Sequence, residues 1–237
     1  MPHRFVIPTE THYGEHCFDM LPERLSAVGR KVALVVSRSV YSDYEEVRSL
    51  EEFCKVAAKS CDLHVCDGGE PTLKLVEKVR EVTESCDICV AIGGGSVLDA
   101  AKAACAVAGS SHELSRHFHD GLELPENALE FIAVPTTSGT GTEVTPNAVL
   151  SDKARNVKKS LRGDSMYPDA AFVDPLLTRS LPSHVAAASG ADALVQAIEA
   201  YVSRHASVLT DQLALKAIEL ASKALEDVVT ENDGQGR

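Results

Sequence analysis

The sequence predicts an α/β fold: a parallel-sheet nucleotide-binding domain followed by the start of an all-helical domain. Three observations carry that expectation. Short apolar runs alternate with longer amphipathic stretches between residues 31 and 173, the pattern of strands joined by crossover helices. Two of those runs, at residues 88–92 and 130–134, are nearly continuous in apolar side chains, as strands covered on both faces must be. After Pro182 the strand signals cease and only helical periodicity remains.

Taken in order, Lys31-Val32-Ala33-Leu34-Val35-Val36-Ser37 is a β-rich run and the first expected strand, because branched side chains pack well on a pleated surface. A charged amphipathic stretch from Asp43 to Ser60 is expected to be helical, and Asp62-Leu63-His64-Val65-Cys66 reads as a second strand, ended by Asp67-Gly68-Gly69. Thr72 to Glu84 carries Leu73, Leu75, Val76, Val79 and Val82 at helical spacing. Ile88-Cys89-Val90-Ala91-Ile92 then leads through Gly93-Gly94-Gly95 into an Ala-rich helix from Val97 to Val107. Glu130-Phe131-Ile132-Ala133-Val134 and the shorter Ala171-Phe172-Val173 supply further strands, with a hairpin at Lys153 to Lys159. His117 and His119 fall in a polar stretch expected to be a loop. Ser183 to Ser203 reads as one helix with Ser183 as its N-cap. Leu209 to Val228 reads as another, with Leu209, Leu213, Ala217, Leu220 and Ala224 on one stripe. The expected boundary divides residues 1–182 from residues 183–237, and the polar tail Thr230 to Arg237 is expected to be loose.

Composition narrows the function classes. With 23 basic against 35 acidic side chains the net charge is −12, and an acidic chain without a Lys/Arg cluster repels phosphate backbones, which argues against nucleic acid as a partner. No apolar run reaches the ~18 residues of a membrane helix. The segment Met1-Pro2-His3-Arg4-Phe5 lacks the apolar core of a secretory signal. The seven cysteines are odd in number and lie mostly within apolar segments, so the expected compartment is a reducing cytoplasm. The Cys86-to-Cys89 pair has no second pair to complete a zinc site.

A buried strand, three glycines and a helix start form an arrangement that binds pyrophosphate. Bare backbone lets phosphates approach, and the helix N-terminus offers free N–H groups and partial positive charge. The spacing is not GxGxxG, so a tight turn with Ser96-x-x-Asp99 as a capping box reads equally well from the residues alone. Thr136 to Gly141 follows the strand at Val134, which puts hydroxyls and glycines at the carboxyl edge of the sheet where ligands bind. An ordinary Ser/Thr turn is the competing reading there.

Gly93-Gly94-Gly95-Ser96-Val97-Leu98-Asp99-Ala100-Ala101-Lys102, Pro135-Thr136-Thr137-Ser138-Gly139-Thr140-Gly141-Thr142-Glu143, Pro168-Asp169, Val173-Asp174-Pro175, Leu181-Pro182 and Asp192-Ala193-Leu194 through Tyr201 stand together in this chain. As a set they resemble the iron-containing (group III) alcohol dehydrogenase family, from Lys31 to Val228. The resemblance implies NAD or NADP as cofactor, an alcohol or aldehyde as substrate, a divalent iron or zinc ion in the parent family, and a homo-oligomer. It also implies cofactor contacts from Gly94, Gly95, Ser96, Asp99, Thr136, Thr137, Asn147 and Lys158. Arg38 stands where many members carry an acid that holds the adenosine ribose, which points toward NADP.

The same resemblance makes Asp192 a metal ligand and places Gln196, one turn further on, where the family has histidine. The family's remaining helical domain, with two more histidine ligands, has no counterpart in these residues, so metal is expected to bind weakly or not at all. His184 and His205 bracket the Asp192 helix as ordinary surface histidines. Two functions from different classes follow. One is a metal-assisted oxidoreductase moving hydride between NAD(P) and an alcohol or aldehyde. The other is a truncated or degenerate NAD(P)-binding module acting as a subunit.

Overall fold

The computed structural model describes residues 5–26, 30–126 and 129–232. In chain order the elements are β1 (Glu10–Tyr13), α1 (Leu21–Leu25), β2 (Lys31–Ser37), α2 (Arg38–Asp43), α3 (Glu45–Ala57), β3 (Ser60–Cys66), α4 (Leu73–Thr83), β4 (Ile88–Gly93), α5 (Gly95–Val107), α6 (Leu114–Asp120), β5 (Glu130–Pro135), β6 (Asn147–Asp152), β7 (Val157–Arg162), β8 (Ala170–Val173), α7 (Ser183–Val202) and α8 (Val208–Asn232). Six strands form one sheet in the order β1-β8-β5-β4-β2-β3, all parallel, and β6 and β7 make a separate antiparallel hairpin.

Backbone contacts group the residues into two units. The first is Pro8–Thr136 with Thr142–Leu177, and the second includes Thr137–Gly141 and the segment from Thr178 onward. The first holds the sheet. Its inner strands are apolar throughout because both faces are covered. Val32, Leu34, Val36, Ile88, Val90, Ile92, Ile132 and Val134 point to one core shared with α1, α2 and α3. Ala33, Val35, Cys89, Ala91, Phe131 and Ala133 point to the other, shared with α4 and α5. This is the alternation that a pleated strand imposes. The alanines of α5 let that helix lie close on the sheet, and every residue from Val97 to Val107 is buried.

The second unit is helical, and no strand follows β8 among the described residues. Its two helices form a pair in which Ala214 is buried and Ile218, Ala221 and Leu225 are half-buried.

Several sequence expectations are corrected. The helix expected over 43–60 is shorter: α2 ends at Asp43, the chain breaks at Tyr44 (φ −112°, ψ 115°), α3 runs Glu45–Ala57, and Ser60 already belongs to β3. Ser183 is the first helical residue of α7; Pro182 takes the cap position and no side chain caps the helix. The stripe Leu209, Leu213, Ala217, Leu220 and Ala224 is exposed, because the face turned toward α7 is the neighbouring one. The segment with His117 and His119 is helix α6, and His117 is buried, bonded to Ser110 Oγ at 2.8 Å and to the Leu122 carbonyl at 3.1 Å. The tail is helical to Asn232; residues 233–237 lie outside the described residues. All seven cysteines are unpaired.

Candidate functional site

β4 ends at Gly93, where a Cβ would stand 2.9 Å from the Val97 Cβ. The protein itself therefore needs glycine here, to let α5 turn back over its own strand. Gly94 is different. It is the N-cap of α5 with φ −72° and ψ 174°, a conformation any residue adopts, and no side chain caps the helix. Gly94, Gly95 and Ser96 are half-buried, whereas the residues of α5 after them are buried. The open end of a thirteen-residue helix thus faces the carboxyl edge of the sheet with bare backbone, a cradle that side chains would fill.

Beside it, β5 pairs with β4 and places Pro135 opposite Gly93. The Thr136 N–H donates to the Gly93 carbonyl at 3.0 Å, and Thr136 is buried. On the other side β2 pairs with β4 so that Val36 lies opposite Ile92, and β3 pairs with β2 so that Cys66 lies opposite Ser37. Arg38 is the next residue after β2. Its Nε donates to Asp67 Oδ1 at 2.6 Å, across the ends of the two strands. Of the residues expected to touch cofactor, Gly94, Gly95, Ser96, Thr136 and Arg38 therefore line one sheet edge.

Asp99 lies deeper. It is buried and accepts from Thr142 Oγ1 at 2.5 Å and from the Val149 N–H at 2.8 Å. One turn on, Lys102 is 1% exposed. Its Nζ donates to Thr142 Oγ1 at 2.7 Å, to the Thr145 and Asn147 carbonyls at 2.9 and 2.8 Å, and to the Thr142 carbonyl. Burial pulls its pKa down to about 8, against the pull of Asp99 and Glu143, and burial also pushes the Asp99 and Glu143 carboxyls up. Together Asp99 and Lys102 bolt α5 to the loop at 142–145 and to the start of the β6–β7 hairpin. Asn147 and Lys158 sit on that hairpin, and Lys158 bonds Glu70 Oε1 at 3.0 Å, which holds the Glu70 carboxyl below its usual range.

Sequence reasoning missed Lys102, Thr142, Asp67 and Glu70. Lys102 stood in plain view in the glycine-loop motif, but a lysine is read as a surface group unless its partners are known. Asp169 and Asp174 in the other motifs serve the fold: they accept the N–H groups of Phe131, Leu176 and Phe18.

In the second unit, Gly139 packs so tightly that a Cβ would meet the Ser189 carbonyl at 2.9 Å, which fixes the loop holding Thr137 against α7. Asp192 and Gln196 lie one turn apart on the exposed face of α7, and the Gln196 amide donates to Asp192 Oδ2 at 2.7 Å. Among the described residues no group of three or more His, Cys, Asp or Glu side chains could hold a metal, and His184 and His205 are exposed. A catalytic zinc ion takes three protein ligands. One carboxylate and one neutral amide alone do not fit such an ion.

Comparison with known proteins places this architecture. The family model for iron-containing alcohol dehydrogenase matches residues 8–175, and that for the C-terminal part of the same family matches residues 186–237. The chain belongs to the iron-containing alcohol dehydrogenase family. Among its relatives, the probable alcohol dehydrogenase EutG of Escherichia coli is 35% identical over 95% of this chain and 57% of its own length. Long-chain-alcohol dehydrogenase 1 of Geobacillus thermodenitrificans is 35% identical over 99% and 60%. The sulfoacetaldehyde reductase of Bifidobacterium kashiwanohense, solved with NAD+, superposes with a TM-score of 0.89 at 29% identity, covering 98% of this chain and 62% of that one. The chain thus spans about three fifths of the length of these relatives.

Proposed function

We propose that residues 1–182 form an NAD(P)-binding domain serving hydride transfer to or from an alcohol or aldehyde, and that residues 183–237 begin the helical metal and substrate domain. The observation that carries this reading is the uncapped N-terminus of α5, bare at Gly94 and Gly95, at the edge of a parallel sheet. The N–H groups of Gly95 and Ser96 would hold the pyrophosphate, where the helix charge favours it. Thr136, Thr137, Asn147 and Lys158 would contact the cofactor, as the family resemblance implies, and Lys158 would offer it a positive charge on leaving Glu70. Asp99 positions this machinery from within. The nicotinamide would supply the hydride chemistry, and the chain's own residues would hold and orient it. A cytoplasmic setting suits seven unpaired thiols, and the exposed apolar faces of α7 and α8 suit a homo-oligomer. No helix among the described residues is long and apolar enough to cross a membrane.

Fluorescence titration with NADH and NADPH tests the reading. Both cofactors are expected to bind, with dissociation constants within about tenfold of one another, since Arg38 can pair a 2′-phosphate. Absence of binding by both would overturn the proposed function, and NADH binding more than about tenfold tighter would overturn the role given to Arg38.

At Asp192, metal is held weakly. The Gln196 amide is a poorer donor to iron or zinc than an imidazole nitrogen. After dialysis against Zn2+, the wild-type chain is expected to retain well under one equivalent, and Gln196→His to retain more. Near-stoichiometric zinc or iron in the wild type, lost in Asp192→Ala, would contradict this.

A further inference from the structure

The carboxyl ends of β5, β4, β2 and β3 lie side by side, and the residues that follow them are Thr136, Gly94, Arg38 and Asp67. On the reading that the pyrophosphate lies at Gly94 and Gly95, on which this inference rests, the strand ends next to the glycine loop are where an adenosine ribose is held. That duty needs a carboxylate for the 2′-hydroxyl of NAD, or a guanidinium for the 2′-phosphate of NADP. β2 ends in Ser37-Arg38 and carries no acid. β3, its outer neighbour, is followed directly by Asp67.

The contact between the two is specific in form. Arg38 Nε and Nη2 converge on a single oxygen, Asp67 Oδ1, at 2.6 and 2.5 Å. They leave Oδ2 outside the fork, where a hydroxyl can donate to it. The side chains are 64% and 81% exposed, so a ligand reaches both. Gly68 and Gly69 follow with φ of +85° and +92°, a left-handed pair that ends β3 sharply and keeps Asp67 at the strand end.

We propose that Asp67 is a specificity-determining residue for the cofactor's adenosine ribose, supplying from β3 the carboxylate that β2 lacks and restraining Arg38. With NAD, Oδ2 accepts the ribose 2′-hydroxyl while Arg38 stays paired to Oδ1. With NADP, the 2′-phosphate must draw Arg38 away from Asp67 and tolerate a carboxylate beside its own negative charge. One side chain therefore favours NAD twice, by a hydrogen bond gained and by an arginine withheld. Arg38 alone would favour NADP; the pair gives a site that takes both.

Dissociation constants of NADH and NADPH for the wild-type chain, Asp67→Asn, Arg38→Ser and the double variant provide the test. Asp67→Asn is expected to tighten NADPH about tenfold and to weaken NADH about threefold, with the NADPH effect shrinking as salt is raised. Arg38→Ser is expected to weaken NADPH and leave NADH little changed. In the double variant the NADPH gain disappears, because the arginine that Asp67 restrained is gone. If Asp67→Asn moves both cofactors equally, moves neither, or still tightens NADPH in the absence of Arg38, the inference is wrong while the cofactor site at Gly94 stands. If neither cofactor binds the wild type, both the site and this role for Asp67 fall together.

Discussion

Replacing Lys102 with Met is expected to lower folding stability by about 3–5 kcal/mol, measured by urea denaturation. The methionine fills most of the space, so little of the effect comes from a cavity. What is lost is the donor. The Thr142 carbonyl and hydroxyl and the carbonyls of Thr145 and Asn147 all accept from one ammonium group that is 1% exposed. Without it these oxygens are left without that donor, and the buried Asp99 loses the positive charge that offsets its own. An exposed lysine would cost almost nothing to replace.

The same residue sets a pH dependence with a definite sign. Burial holds the folded-state pKa of Lys102 at about 8, below its unfolded value of 10.5. Between those two pH values the unfolded chain binds more protons than the folded one, so this group's contribution makes stability rise with pH across that window. The wild type should show the more positive slope there, and Lys102→Met should lack that component. Equal slopes in the two proteins would mean that the lysine is not held in this buried cage.

How far the sequence revealed this molecule depends on what each residue touches. β2, β4 and β5 were legible because burial on both faces demands continuous apolar runs, here short and rich in β-branched side chains. α5 was legible for the same reason, its alanines being the price of a close approach to the sheet. β1 was not, since Glu10–Tyr13 is a short polar edge strand paired on one side only, to β8. The break at Tyr44 has no proline or glycine to announce it. α6 did have a signal, in Gly121 at φ +71°, which closes the helix after Asp120. At the site, the glycines and hydroxyls showed themselves through their types. Asp99 and Asp67 could not, because a carboxylate looks the same in sequence whether it faces a ligand, a backbone N–H or an arginine.

Gly94 offers the sharpest separation of binding from folding. Gly94→Asp is expected to weaken both NADH and NADPH at least about 100-fold, while leaving the unfolding midpoint unchanged or slightly raised. The two effects have opposite signs for a physical reason. Gly94 is the N-cap of α5 at φ −72° and ψ 174°, with no side chain capping the helix. Aspartate adopts that conformation readily, and its carboxylate can accept the N–H groups of the first turn, worth a few tenths of a kcal/mol over glycine at about this position. Those N–H groups are the ones assigned to the pyrophosphate. The new side chain would take the donors, fill the cradle and set a negative charge against two phosphates. A loss of 100-fold corresponds to about 2.7 kcal/mol of binding free energy, a modest demand on one blocked site with repulsion added. Gly93→Ala serves as the contrast, since its Cβ would stand 2.9 Å from the Val97 Cβ and must disturb packing. That variant should lose stability and binding together. If Gly94→Asp binds NADH and NADPH as tightly as the wild type, the open end of α5 is a turn in the fold and the cofactor lies elsewhere.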